Sequence, residues 1–275
     1  MPVRYFAPAK LNLSLDLGPA RADGYHEIRS VMQAVSLGDR LDVVQAPRFR
    51  LENPAVGPGD LIARAAQVFE DATGVHAAAA IAVQKRIPIG AGLGGGSSDA
   101  ACALRALRDL LLPELPREQL VAMAVGIGSD VPFFLGQTPR ALAVGRGEIL
   151  APLQPSEPKF VVIAWPGVGL STADVYRASS PGRGDATDRV LAGAPQAAND
   201  LAPAALALCP ELGELVRGAG ERSVHLQVTG SGSAAYALFS DPQPAAAALR
   251  ELRPLAPRAI LCQTLAAWPW QTSSD

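Results

Sequence analysis

The run Ile87-Pro88-Ile89-Gly90-Ala91-Gly92-Leu93-Gly94-Gly95-Gly96-Ser97-Ser98-Asp99-Ala100-Ala101 places five glycines within seven residues, between a β-like segment and a strongly helical one. Glycine reaches positive φ and has no side chain to block approach, so such a loop lets backbone N–H groups crowd around an anion. The helix that follows, expected to start near Ser97, aims its positive end at the same place. The ligand this predicts is a polyphosphate, and the activity a nucleotide-dependent phosphotransfer. The loop is not a Walker A loop, because Gly96-Ser97 stands where that motif needs Lys-Ser or Lys-Thr. Gly90, Gly92 and Gly95 satisfy Gly-x-Gly-x-x-Gly. A dinucleotide fold, however, needs a strand ending in an acidic residue after the helix. Here Leu110–Leu120 reads as a helix end, a break at Pro113 and a new helix start. A flexible linker is a poorer reading still, because the run from Ala100 to Leu112 is a good helix former.

The chain has 275 residues, 49% of them hydrophobic, enough for a sizeable core in one or two domains. Its net charge of −2 gives no bulk field that favours nucleic acid or an anionic membrane. No run of 18 apolar residues exists, and the first residues lack the apolar stretch of a signal peptide. Cys102, Cys209 and Cys262 are an odd, widely spaced set in apolar surroundings. They read as buried structural thiols of a reducing, cytoplasmic compartment rather than a disulfide frame or a zinc site.

Working outward from the loop, Ala78–Arg86 is expected as the strand that leads into it. Helices are expected at 97–112 and 117–125. Asp60–Thr73 reads as a helix with Asp60 as N-cap and Gly74 beyond its end. Upstream, Lys10-Leu11-Asn12-Leu13-Ser14-Leu15-Asp16-Leu17 alternates strictly. It predicts a strand with a leucine face in the core and Lys10, Asn12, Ser14 and Asp16 on the other face. Asp23-Gly24 signals a turn, followed by strands at 26–36 and 40–45. Downstream, 141–144 is a short strand and Lys159–Trp165 a buried one, after a boundary at Gln154-Pro155-Ser156-Glu157-Pro158. Residues 179–198 read as a mobile loop with at most a short helical turn, and Asp200 as a helix N-cap. Strands at 223–229 and 234–240 flank Gly230-Ser231-Gly232. A helix at 242–252, a strand at 258–265 and packing roles for Trp165, Trp268 and Trp270 complete the pass. Grouped strands with interleaved helices indicate α+β.

Phosphoryl transfer asks for a phosphate cradle, a group to orient the attacking hydroxyl and a nearby cation. Asp130, in Gly126-Ile127-Gly128-Ser129-Asp130-Val131-Pro132-Phe133-Phe134, is the best carboxylate, since its apolar context makes desolvation strong. Taken alone it is also a plain turn or capping residue, and Lys10 alone a solvated lysine on an outer strand face.

Three segments together resemble the GHMP kinases, the galactose, homoserine, mevalonate and phosphomevalonate kinase superfamily. Pro8-Ala9-Lys10-Leu11-Asn12-Leu13 is similar to its first motif, Pro88–Ser98 to its second and Thr229–Leu238 to its third. Arg21–His26, Asp130–Phe134 and Asn199-Asp200-Leu201 extend the resemblance to the branch that acts on a cytidine-diphosphate-linked methylerythritol. It implies a two-domain GHMP kinase fold. Residues 1–154 would be a ribosomal-protein-S5-domain-2-like, ATP-binding domain, and residues 155–275 a ferredoxin-like α/β plait. It implies ATP with Mg²⁺ as cofactor, no dedicated protein metal site, and a monomer or weak homodimer. Lys10 and Asp130 would be catalytic. Pro88, Ile89, Gly90, Ala91, Gly92, Leu93, Gly94, Gly95, Gly96, Ser97 and Ser98 would hold ATP, with one of the two serines capping the helix. Tyr25 would stack on the cytosine, His26 hydrogen-bond its edge and Tyr176 form the second aromatic wall. Asn12, Thr172, Gly230 and Ser231 would touch the rest of the substrate. The nearest rival is a small-alcohol kinase of homoserine or mevalonate type, to which a base-stacking Tyr25-His26 pair is useless.

Overall fold

The leucine alternation of residues 10–17 does build sheet, but as two strands. The computed structural model describes residues 2–22, 24–52 and 60–269, and in it β1 spans Val3–Asn12 and β2 spans Asp16–Ala20. Between them the backbone leaves the sheet: Leu15 N–H donates to Ala198 O at 3.1 Å, and Ala197 N–H donates to Leu13 O at 2.8 Å. Leu11, Leu13, Leu15 and Leu17 are buried as expected. The opposite face is not an outer face, because Lys10, Asn12, Ser14 and Asp16 are buried too.

Both strands pair with β3, His26–Gln45, one 20-residue strand where two were expected. The register against β1 slips between Pro8, opposite Gly38, and Ala9, opposite Val35. Ser36 and Leu37 therefore form a bulge, and the suspected break is absorbed without ending the strand. The sheet continues with β4 (Arg50–Glu52), β5 (Ala79–Gln84), β6 (Arg140–Gly145) and β7 (Ile149–Pro152), in the order β4-β5-β3-β6-β7. Helices α1 (Leu61–Thr73), α2 (Gly95–Leu111) and α3 (Arg117–Ile127) cover one face, with a 3-10 turn at Pro132–Leu135. Asp60 caps α1 by accepting from Ile62 N–H at 2.7 Å, and Gly74 ends it at φ +69°, as the sequence predicts. A cap of this kind contributes about 1 kcal/mol.

The second half holds β8 (Phe160–Trp165), α4 (Thr172–Ala178), α5 (Ala186–Leu191), α6 (Ala202–Leu208) and α7 (Pro210–Glu221). After these come β9 (Gln227–Val228), β10 (Ala235–Phe239), α8 (Pro242–Leu252) and β11 (Arg258–Gln263). Its four strands form an antiparallel sheet in the order β11-β8-β10-β9. Ala9, Leu11, Val31 and Val35 of the first sheet meet Val161, Ile163, Ala234 and Tyr236 of the second in a shared core. The far face of the second sheet packs on α7 and α8 through Leu215, Ala219, Ala245 and Leu252. The result is the α+β architecture the composition pattern indicates, ordered as helices, sheet, sheet, helices.

Three local expectations need correction. Helix α2 starts at Gly95, capped by Gly94 at φ +70° with no side-chain bond, so neither Ser97 nor Ser98 is its cap. Asp200 does not cap α6; its carboxylate accepts from Leu17 N–H at 2.8 Å and Gly182 N–H at 3.0 Å. The short helical turn expected within 179–198 is α5, whose first N–H groups are held by Asp16: Ala186 N–H and Thr187 N–H donate to its two oxygens at 2.9 and 2.8 Å. The strand expected at 223–229 shortens to β9. Trp268 is fully buried and Trp165 donates to Ser233 Oγ at 3.1 Å. Asp23 and Trp270 lie outside the described residues.

Candidate active site

The glycine loop, residues 87–94, is wedged between β1 and the turn at 229–234. Lys10 N–H donates to Leu93 O, and Ala234 N–H to Ala91 O, both at 3.0 Å. Gly92 sits at φ +75°, and a Cβ there would lie 2.3 Å from Thr229 O, so only glycine fits. On one side of the loop opens a cleft of about 870 Å³. On the other lies a pocket of about 250 Å³, lined by Pro88, Ile89, Gly90, Ala91, Leu93, Gly94, Gly95 and Gly96 together with Asp60, Leu61, Lys85 and Asp99.

At the cleft floor, Lys10 Nζ stands 3.3 Å from Asp130 Oδ2 and donates to Asn12 Oδ1 at 2.6 Å. The lysine side chain is 5% exposed and the aspartate side chain 28%, so one carboxylate edge faces the cleft while the cation is shielded. Asn12 is fixed in turn: its Nδ2 donates to Ser30 Oγ at 2.7 Å, and Ser30 donates to Ser14 O at 2.6 Å. The Asn12 backbone is held from the second half, its N–H donating to Thr229 Oγ1 of the turn after β9 and its carbonyl accepting from Tyr236 O–H of β10, both at 3.0 Å. A buried cation costs free energy unless paired and hydrogen-bonded, and this network supplies both.

The cleft mouth is aromatic. Tyr25 is 53% exposed, and the Arg146 guanidinium lies over its ring at 4.9 Å. His26 Nδ1 is 3.2 Å from Gly18 O, and its ring centroid is 6.0 Å from that of Tyr176. Burial, with Asp130 adding, raises the Tyr176 phenol, which is therefore neutral. Thr172 Oγ1 and Ser231 Oγ share a hydrogen bond at 3.0 Å. Ser97, Gly92, Gly94 and Gly230 line the same cleft. Ser98 does not: its hydroxyl is buried without a hydrogen-bond partner, beside a small cavity near Cys102 and Arg105. Ser129, Arg146 and Arg177 also line the cleft, and the motif reading missed them. The turn Gly145-Arg146-Gly147 between two strands was the available signal for Arg146.

The chain matches the family of GHMP kinases N terminal domain over residues 60–137 and that of GHMP kinases C terminal over residues 187–255. A 4-diphosphocytidyl-2-C-methyl-D-erythritol kinase of Pelotomaculum thermopropionicum is 38% identical over 269 residues, 89% of this chain and 92% of that one. The chain belongs to the 4-diphosphocytidyl-2-C-methyl-D-erythritol kinase family. A protein of the same name from Anaeromyxobacter dehalogenans is 46% identical over 200 residues, which span 70% of this chain and 61% of that protein. A crystal structure of 4-(cytidine 5'-diphospho)-2C-methyl-D-erythritol kinase superposes with a TM-score of 0.81 at 37% identity, covering 95% of this chain and 99% of that one. Membership of this kinase family agrees with the two-sheet fold. Among the described residues no helix is long and apolar enough to cross a membrane.

Proposed function

We propose that the protein transfers the γ-phosphoryl group of ATP to the 2-hydroxyl of 4-diphosphocytidyl-2-C-methyl-D-erythritol. That reaction belongs to the methylerythritol phosphate route to isoprenoid precursors. One observation carries this reading: a shielded Lys10 paired to a half-open Asp130, set between a glycine-rich anion cradle and an aromatic corner. Asp130 accepts the proton of the attacking hydroxyl as the new P–O bond forms. Lys10 lies close enough to stabilise the charge that grows on that oxygen, and Asn12 keeps the ammonium aimed. The backbone N–H groups of the loop and the amino end of α2 hold the phosphates as the β–γ bond breaks and ADP leaves. Tyr25 and Tyr176 flank the base, His26 reads its edge, and Thr172, Ser231 and Gly230 line the sugar-chain side. Residues 88–97 make the ATP site, without the Ser98 hydroxyl.

The residues present suit a Mg²⁺ carried mainly by the nucleotide. Ser97 and Asp130 offer oxygens to the cleft, and an ion that keeps several waters and binds phosphate needs few protein ligands. Bound there, it would neutralise phosphate charge. The domain boundary is placed at residues 154 and 155, between β7 and β8. We place the protein in the cytoplasm, in keeping with its three buried free thiols, acting on small molecules without nucleic acid or membrane, as a monomer or weak homodimer.

The test is ADP release from Mg-ATP with the cytidyl substrate, beside homoserine and mevalonate. Turnover with the cytidyl substrate alone is the expected result. Turnover with a small alcohol instead would keep the kinase and remove the base-stacking corner.

A further inference from the structure

Behind the glycine loop lies a second charged cluster that the reaction above does not use. Lys85 follows β5 directly, two positions before Ile87. Its ammonium bonds the carboxylate of Asp39 on β3, and that of Asp99, in the first turns of α2, at 2.6 Å. Asp39 is fully buried, and its second oxygen accepts the backbone N–H groups of Arg86 and Ile87, the latter at 2.8 Å. Asp99 is 4% exposed, and its Oδ1 has no hydrogen-bond partner. The three side chains thus join the segment that leads into the loop to the helix that leaves it. Lys85 and Asp99 also line the smaller pocket, against Pro88 and Gly94–Gly96.

Stability alone is a weak reason for this arrangement, because a buried ion triad is often no more stable than apolar side chains of the same volume. A loop built largely of glycine has the opposite problem. It keeps no fixed shape of its own, and each backbone N–H that must face phosphate has to be oriented from outside. We propose that Lys85 is a positioning residue for nucleotide binding: bridging Asp39 and Asp99, it clamps the two ends of the glycine loop at the spacing that aims its N–H groups at ATP. The inference rests on the loop being the ATP site, and not on which alcohol accepts the phosphoryl group. Lys85 acts here through the loop backbone and needs no contact with the reacting atoms.

Three variants test the clamp. Lys85→Met cuts both ties. Asp99→Ala cuts one, leaves Lys85 paired to Asp39 and removes a buried carboxylate oxygen that lacks a partner. Affinity for a non-hydrolysable ATP analogue is read by calorimetry, KM for ATP and for the acceptor by steady-state turnover, and Tm by circular dichroism. The clamp predicts at least a fivefold loss of analogue affinity and a matching rise in KM for ATP in Asp99→Ala. Acceptor KM stays within about twofold and Tm does not fall. Lys85→Met, where it folds, shows the larger loss. Asp99→Asn, which keeps an oxygen for Lys85, recovers to within about threefold of the wild type.

Unchanged or tighter analogue binding in a folded Asp99→Ala overturns the proposal, since it would mean that the cluster acts only as charge near an anion. Equal changes in both KM values together with a lower Tm overturn it in favour of a general structural role. Analogue binding is measured without acceptor, so a wrong acceptor assignment would show as absent wild-type turnover and leave this result standing.

Discussion

Lys10 and Lys85 are each ion-paired to aspartate and largely shielded from solvent, and they touch neighbouring residues of the same loop. A Cβ on Gly94 would meet Lys10 Cγ at 3.0 Å, and one on Gly95 would meet Lys85 Nζ at 3.5 Å. Their carboxylate partners differ. Asp130 keeps 28% of its side chain exposed, toward the large cleft, whereas the side chains of Asp39 and Asp99 are 0% and 5% exposed. A carboxylate with an open edge can meet a substrate hydroxyl. Asp39, whose oxygens are spent on Lys85 Nζ and two backbone N–H groups, can only hold structure in place. If the proposed roles hold, accessibility of a single oxygen, more than charge or burial of the lysine, is what sets the front carboxylate apart from the rear pair.

The largest expected effect strikes the front cluster. Asp130→Asn should lower kcat by about 10²–10⁴-fold, the scale of a lost general base, while affinity for an ATP analogue changes little. Near-normal turnover would erase the distinction drawn above. In the rear cluster the corresponding damage is to folding. Asp39→Ala leaves Lys85 half-paired and two buried N–H groups without their acceptor, and should cost about 3–5 kcal/mol in urea unfolding. A loss below 1 kcal/mol would show that the rear cluster is not a fastening point.

Smaller effects sharpen the contrast. Tyr25→Ala should weaken the cytidyl substrate by about 1–3 kcal/mol, one stacking contact, as read by titration with the substrate and no ATP; equal affinity removes Tyr25 from the site. The smallest effect is one of pH. Burial pushes the Asp99 carboxyl up to about 7, with Asp39 adding and Lys85 opposing. A carboxyl whose folded pKa lies above its unfolded one binds more protons in the folded state between the two values. Its contribution is therefore most favourable below pH 4 and is lost as pH rises toward 7. Asp99→Asn removes that loss, so its stability relative to wild type should grow as pH rises from 5 to 7.5. A pH-independent difference would place the titration elsewhere.

Much of this was legible in the chain, and what was not has identifiable causes. Helices α1 and α8 carry regular apolar spacing and recognisable ends, so their limits agree with the pattern to within a residue. The loop, Lys10 and Asp130 stand in dense local motifs. Helix α7 was missed because Gly213, Gly218 and Gly220 lower its propensity, and α4 because seven residues show too few turns of a period. The burial of Ser14 and Asp16 was unreadable for another reason. Their partners, Thr187 for one and the amino end of α5 for the other, lie 170 or more positions along the chain, and no local window contains them.

That distance has a consequence on the ribosome. The backbone of Asn12 is held at both ends by residues of the second half, Thr229 of the turn after β9 and Tyr236 of β10, the nearer of them 217 positions later in the chain. At a synthesis rate of about 5–20 residues per second, the nascent polypeptide carries β1 for roughly 10–40 s before Thr229 exists to receive it. The glycine loop is translated long before its wedge at 229–234. A nascent chain that stops short of residue 229 can build most of the first sheet and still lack a complete site, so nucleotide binding should switch on only once residues 229–234 are in place, and not in proportion to the length already synthesised.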